Sequence, residues 1–297
     1  MLGGLVARRL GLPWVATSVM PALHCAPQGA QLGKKTLWMP YMPGLTVECL
    51  RASGLLTESL PGPVLPMGRL LAASPRFCQP TGADAAYQLP GFWYHDASDA
   101  DADAADPAPW QQFVRAYPAP LVLTFSSQPL LDAPAVLALH AEAAHRLGRG
   151  LVVQRGWANF GPEMLPAHLP RASVCFTDFI AQDALFSQAG AVLHHGGIGT
   201  VARALRNGCP MVVEPYGNDQ FFNAQRVLAL GVGAAIHPKK TSADGLARLL
   251  AERVLTDACR DRAQALGEQL RTENGIASAA DHLETWLHQA RHPAPCH

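Results

Sequence analysis

From residue 119 onward, short unbroken apolar runs alternate with longer stretches of helical periodicity. Leu121-Val122-Leu123-Thr124-Phe125, Leu151-Val152-Val153, Val174-Cys175-Phe176, Ala191-Val192-Leu193 and Met211-Val212-Val213 are too short for helices. They also lack the in–out alternation of a half-exposed strand. Such runs form parallel sheets covered on both faces. The intervening pattern predicts a helix over about 134–147. Thr241-Ser242-Ala243-Asp244 has the composition of a capping sequence before a helix at Leu246–Leu250. Two more helices are predicted over about 257–272 and 277–290.

The first 94 residues read differently. Leu5 to Leu10 has a helical pattern, stopped by Gly11 and Pro13, and Trp14 to Val19 reads as a strand. Leu70–Ala73 is a second strand candidate, and Gly91-Phe92-Trp93-Tyr94 closes the region. A helix-then-strand opening with no first strand is unusual for an α/β domain. His95 to Pro109, rich in Asp, Ala and Pro, reads as a linker. Asp99, Asp101 and Asp103 alternate as in a calcium loop. However, Ala104 stands where the turn glycine is needed and Trp110 where the closing Glu is needed, so a solvated linker is the better reading. The expected organisation is a partial N-terminal domain over 1–106, with its linker from about 95, and a second domain over 107–297.

Composition narrows the function classes. Lys plus Arg and Asp plus Glu number 23 each, so the formal net charge is zero and a nucleic-acid partner is disfavoured. The seven cysteines contain no Cys-x-x-Cys pair, which fits a reducing, cytoplasmic setting better than a disulfide framework or zinc site. No His, Asp or Glu spacing suggests a metal-ligand set. No apolar run reaches the roughly 18 residues of a membrane span. The N-terminal arginines follow the first apolar residues, unlike a secretion signal.

Ligands in open α/β sheets bind at the carboxyl ends of the strands. Four loops are expected on that rim: Ser126-Ser127, Phe179 to Gln182, His194 to Thr200, and Pro215 to Gln220. The turn His194-His195-Gly196-Gly197-Ile198-Gly199-Thr200 follows a strand and precedes a helix. The first N–H groups of a helix lack internal partners, and its dipole favours negative charge there. Glycines admit a bulky diphosphate to the backbone. A strand-end histidine could add a donor or simply pack. Phe179 could be core or a stacking ring, and Asp219 could cap the following helix, contact a ligand, or both.

These residues resemble the donor-binding half of family 1 glycosyltransferases, enzymes of the GT-B fold. The likeness rests on His194-His195-Gly-Gly-Ile-Gly-Thr, Gly208-Cys209-Pro210, Pro215 and Asn218-Asp219-Gln220-Phe221-Phe222-Asn223-Ala224. It is nearest to the bacterial branch acting on lipids, sterols and secondary metabolites, including rhamnosyltransferase-like chains. It covers about 119–290 well and 1–94 more weakly, where Gly91-Phe92-Trp93 matches the strand leading into the linker. It implies two Rossmann-like domains facing a cleft, the N-terminal one incomplete. His194 aligns with a histidine contacting the donor diphosphate. Gly196, Gly197, Gly199 and Thr200 correspond to the turn and helix start under the phosphates. Phe179 stands where an aromatic ring stacks on the base, and Gln182 matches the glutamine closing that stretch, although Ala181 replaces its proline. Asp219 and Gln220 match the pair that bonds the sugar hydroxyls. Ser126 and Ser127 occupy the loop near the phosphates.

The resemblance implies inverting, metal-independent transfer of a hexose from a UDP- or dTDP-linked donor, with no further cofactor. The acceptor would be a hydroxyl on a lipid or small molecule, and a lipid would entail peripheral membrane contact. The family's catalytic base is a histidine near its N-terminus, before the point at which this chain begins. His24, in a loop, reads more readily as a structural histidine, and the base stays unassigned. A donor-binding auxiliary subunit or truncated homologue, completed by a partner chain, is the main alternative. A nucleotide-sugar epimerase is a weaker one, because its acidic catalytic residues have no counterpart here.

Overall fold

The computed structural model describes residues 12–25, 66–95, 109–178 and 180–291. Contacts divide the chain into two units, Met1–Tyr94 with Glu273–His297, and His95–Thr272. The sequence reading placed one boundary near 106 and continued the second domain to 297. In the structure, the C-terminal segment groups with the first unit. The predicted helix at Leu5–Leu10 and the aspartates Asp99, Asp101 and Asp103 lie outside the described residues.

In the first unit, β1 (Val15–Ser18) pairs in parallel with β2 (Gly68–Leu71), Val15 facing Gly68 and Ser18 facing Leu71. A short helix, α1 (Pro21–Cys25), follows β1. Leu70, Leu71, Phe77 and Phe92 are buried, and the two phenyl rings lie 5.6 Å apart. Ser74 donates a 2.8 Å hydrogen bond to Glu273, at the start of the C-terminal segment. Residues 91–94 form no strand, contrary to expectation. Gly91 has φ +115°, outside strand geometry, and a Cβ there would stand 3.1 Å from Gly275 Cα.

The second unit holds a six-stranded parallel sheet. Its strands are β3 (Leu121–Thr124), β4 (Leu151–Gln154), β5 (Val174–Thr177), β6 (Ala191–His194), β7 (Met211–Val213) and β8 (Gly233–Ala235). Their order is β5-β4-β3-β6-β7-β8. The unbroken apolar runs have the predicted consequence: every residue of β3, β4, β6 and β7 is buried. The strand β8 carried no sequence signal because Gly-Ala-Ala lacks bulk. The sheet requires that smallness, since a Cβ on Gly233 would stand 2.0 Å from the Met211 carbonyl oxygen.

The helices are α2 (Pro109–Ala116), α3 (Ala133–Arg146), α4 (Gln182–Phe186), α5 (Ile198–Arg206), α6 (Gln220–Leu230), α7 (Ala243–Leu249) and α8 (Asp257–Arg271). The helix α9 (Gly275–Arg291) belongs to the first unit. Asp132 caps α3, Ser242 caps α7 as its sequence predicted, and Thr256 caps α8, each side chain accepting a backbone N–H. Gly231, with φ +66°, ends α6 in a left-handed cap. Strand order reverses between β3 and β6, which sets the topological switch point there.

Candidate functional site at the strand switch point

The loops after β3 and β6 meet at the switch point. The Ser126 and Thr200 hydroxyls approach to 3.5 Å, and Ser126 sits at φ +46°. Gly197 begins α5 with no side-chain cap. Its first three N–H groups, on Ile198, Gly199 and Thr200, have no carbonyl one turn back within the helix. Gly199 is exposed, and nothing lies within 4 Å of where its Cβ would stand. Gly196 is constrained instead: φ is +94°, and a Cβ would meet Val213 Cγ1 at 2.6 Å. The turn thus packs tightly beneath and stays open in front, where an anion meets free N–H groups and the helix dipole.

Both histidines lie inside this turn. His194 is fully buried and accepts the Gly196 N–H at Nδ1, 3.1 Å away. That bond fixes the Nε2–H tautomer, and Nε2 has no partner. Burial and the neighbouring His195 push the His194 pKa down to about 3, and burial pushes His195 to about 4. Both rings are therefore neutral at neutral pH. His195 stacks on Phe125, centroids 6.2 Å apart. Thr124 Oγ1, His195 Nδ1 and Asn223 Oδ1 are also buried without hydrogen-bond partners. These four atoms belong to the strand ends and to the first turn of α6; Glu214 Oε2, just after β7, is a fifth, and Trp14 Nε1 and His24 Nδ1 are buried without hydrogen-bond partners in the first unit.

The Pro215–Gln220 loop is closed by its own side chains. Gln220 Oε1 accepts the Tyr216 and Gly217 N–H groups at 2.7 and 3.1 Å. Its Nε2 donates to Gln128 Oε1 at 3.1 Å, tying this loop to the one after β3. Asp219 occupies the N-cap position of α6 but makes no cap bond. Its carboxylate accepts Asn223 Nδ2 at 3.0 Å, and the same amide donates to the Gly196 carbonyl at 2.8 Å. Burial raises the Asp219 pKa, and the Asn223 bond partly opposes this.

A family described as "Erythromycin biosynthesis protein CIII-like, C-terminal domain" matches residues 159–284. The sterol 3-beta-glucosyltransferase of Kluyveromyces lactis is 34% identical over 154 residues, covering 50% of this chain and 12% of that enzyme. The Aspergillus terreus enzyme of the same name is 30% identical over 208 residues, or 69% of this chain and 15% of its own. These matches make the chain similar to family 1 glycosyltransferases. Its fold is GT-B, as its likeness to solved glycosyltransferase structures shows. The glycosyltransferase of kitacinnamycin superposes with a TM-score of 0.69 at 24% identity, covering 96% of this chain and 73% of that one. The calicheamicin glycosyltransferase CalG4 gives 0.69 at 21%, covering 98% and 71%. The matches in the curated relatives are short parts of long proteins, 12% and 15% of the two sterol enzymes.

The structure brings most of the sequence-predicted rim residues to one place. Ser126, Thr200, the three turn glycines, Asp219 and Gln220 lie on loops bonded to one another. Ser127 is exposed beside Ser126, and Gln182 is half-buried at the start of α4. Phe179 lies outside the described residues. His24, expected in a loop, lies in α1, 3.3 Å from Asp84 and with its ring tilted against Tyr87, centroids 4.2 Å apart. Sequence reasoning overlooked Asn223 and Gln128, the amides that join the loops. It also overlooked Trp157, 73% exposed, whose N–H reaches the Ser126 carbonyl at 2.8 Å. It also passed over His140, which is 1% exposed. Its spacing on α3 with Leu137, Ala141 and Ala144, all buried, was the available signal. A cavity of about 410 Å³ lies at the opposite, amino-terminal ends of β3, β6 and β7, between Ala119, Gly190 and Pro210, and contains none of these groups. The switch point carries the chemistry instead, because most of the orphaned polar atoms and the open helix start are there.

Proposed function

We propose that the chain binds a nucleotide diphosphate sugar, UDP- or dTDP-linked, at this rim. It transfers the hexosyl group to a hydroxyl of a lipid or small-molecule acceptor, with inversion and without a metal. The observation that carries the reading is the open start of α5 at the switch point, with an exposed Gly199 and uncapped N–H groups beside Ser126. The acceptor hydroxyl oxygen attacks the anomeric carbon from the face opposite the diphosphate as its proton passes to a general base on the acceptor side. The bond to the diphosphate oxygen breaks, and its electron pair stays on phosphate. Oriented N–H groups and the helix dipole stabilise that charge as it develops. The N–H groups at 198–200 can reach a phosphate as they stand. His194 holds the turn through Gly196, and its buried Nε2–H would need a shift of the turn to add a further contact. Asp219 accepts hydrogen bonds from sugar hydroxyls. Relatives named sterol 3-beta-glucosyltransferase support a hydroxyl on an apolar acceptor.

A second reading is a donor-binding subunit without turnover of its own. It is favoured by the burial of both rim histidines, which keeps either ring from an acceptor hydroxyl. Calorimetry with UDP and dTDP, followed by product analysis with UDP-glucose and a sterol, separates the readings. Micromolar binding with glucoside formation is the expected result. Binding without turnover selects the second reading, and absence of binding by either nucleotide removes both.

A further inference from the structure

Beneath the Pro215–Gln220 loop lies a buried polar network that nucleotide binding does not require. Glu214 and His140 are each 1% exposed, with Glu214 Oε2 and His140 Nε2 3.3 Å apart. His140 Nδ1 lies 2.8 Å from the Val136 carbonyl. The Tyr216 hydroxyl donates to Glu214 Oε1 at 2.5 Å. The Tyr216 ring stands edge-on to Phe125, centroids 5.8 Å apart, and Phe125 in turn stacks on His195. A buried polar pair gives little net stability compared with apolar residues of the same volume. Placed directly after β7, this one imposes a position on the loop that follows.

We propose that the Tyr216 hydroxyl, held by the buried Glu214–His140 pair, is a positioning group that sets the loop carrying Asp219 and so distinguishes a sugar-bearing donor from bare nucleotide. The inference rests on the donor-site reading above. The loop is held at two points. Gln220 closes it from within by accepting the Tyr216 and Gly217 N–H groups. Glu214 anchors it from below through the Tyr216 hydroxyl. The diphosphate turn has support within itself, from the His194–Gly196 bond. Removing the hydroxyl therefore loosens the sugar-side loop and leaves the phosphate side in place. Tyr216→Phe is a clean probe, because the ring and its edge contact with Phe125 remain.

The test is calorimetry on the full chain, with UDP or dTDP, whichever binds, and its glucose conjugate. In Tyr216→Phe, affinity for the sugar conjugate falls roughly tenfold, the scale of one hydrogen bond to a charged group, while affinity for the nucleotide stays within about twofold. Glu214→Gln keeps an acceptor for the hydroxyl and shows a smaller loss of the same kind. If Tyr216→Phe fails to fold, His140→Gln carries the test with the same sugar-selective direction. Equal weakening of both ligands, as a merely structural role predicts, or no change in either, overturns the inference alone. Failure of the unmodified chain to bind any nucleotide overturns the donor-site reading and this inference with it.

Discussion

His194 and His195 show how one pair of residues can shape both the site and its stability. Folding removes both rings from water, and their pKa values fall from the ordinary 6.5 to about 3 and about 4. The unfolded chain takes up protons at these positions as pH drops below 6.5, and the folded chain does not. Stability is therefore complete above about pH 6.5 and declines as pH falls toward 4 and then 3. Urea midpoints measured from pH 7 to pH 4 should fall by an equivalent of on the order of a few kcal/mol. His194→Asn keeps an acceptor near the Gly196 N–H and should flatten that slope, as should His195→Gln. A slope unchanged in both variants would show that other groups carry the acid sensitivity. The same substitutions leave no charge to lose at the diphosphate turn, because the wild-type rings are already neutral at pH 7.

The contrast between Gly196 and Gly199 belongs to the turn and helix as one element. Gly196 is required by its positive φ and by the approach of Val213. Gly199 has open space before it and an ordinary φ, so a side chain there meets no steric penalty. Gly199→Asp places a carboxylate in the first turn of α5, where the dipole favours it by about 0.3–1 kcal/mol. The expected outcome is a melting temperature that is unchanged or slightly raised, together with loss of UDP binding by at least tenfold. Retained binding would mean that the diphosphate does not sit at this helix start. This element was legible in the sequence because strand, glycine turn and helix are all local patterns. So was the capping of α7 by Ser242. Other features were hidden because their signals are not local. The β8 strand is defined by a neighbour that leaves room only for Gly233. His140 is defined by a carboxylate 74 positions away in the chain, and Gln128 by a carboxamide on another loop.

At the scale of the whole chain, the assignment of Glu273–His297 to the first unit gives the C-terminal helix a structural task distant in sequence from its partners. The Trp286 ring on α9 lies against β2 at Gly68, where a Cβ would stand 2.2 Å from the ring. Glycine at that position is what lets an indole cover the strand, and His282 stacks on the indole with centroids 5.5 Å apart. Among the described residues the β1–β2 sheet is two strands wide, and such a pair needs packing against a helix to persist in water. Trp286→Ala removes that cover. Because the ring is only half-buried, the cost should fall at or below the lower end of the range for large-to-small changes, about 1–3 kcal/mol. Hydrogen exchange resolves where the cost appears. Amides of Val15–Ser18 and Gly68–Leu71 should exchange faster by roughly one to two orders of magnitude. Those of β3, β4, β6 and β7 should keep their protection, and nucleotide affinity should stay within about twofold, since every donor-side contact described lies within His95–Thr272. Loss of protection throughout both units would show that they unfold as one cooperative body. Loss confined to the first would establish that the donor site keeps its geometry without α9 in place.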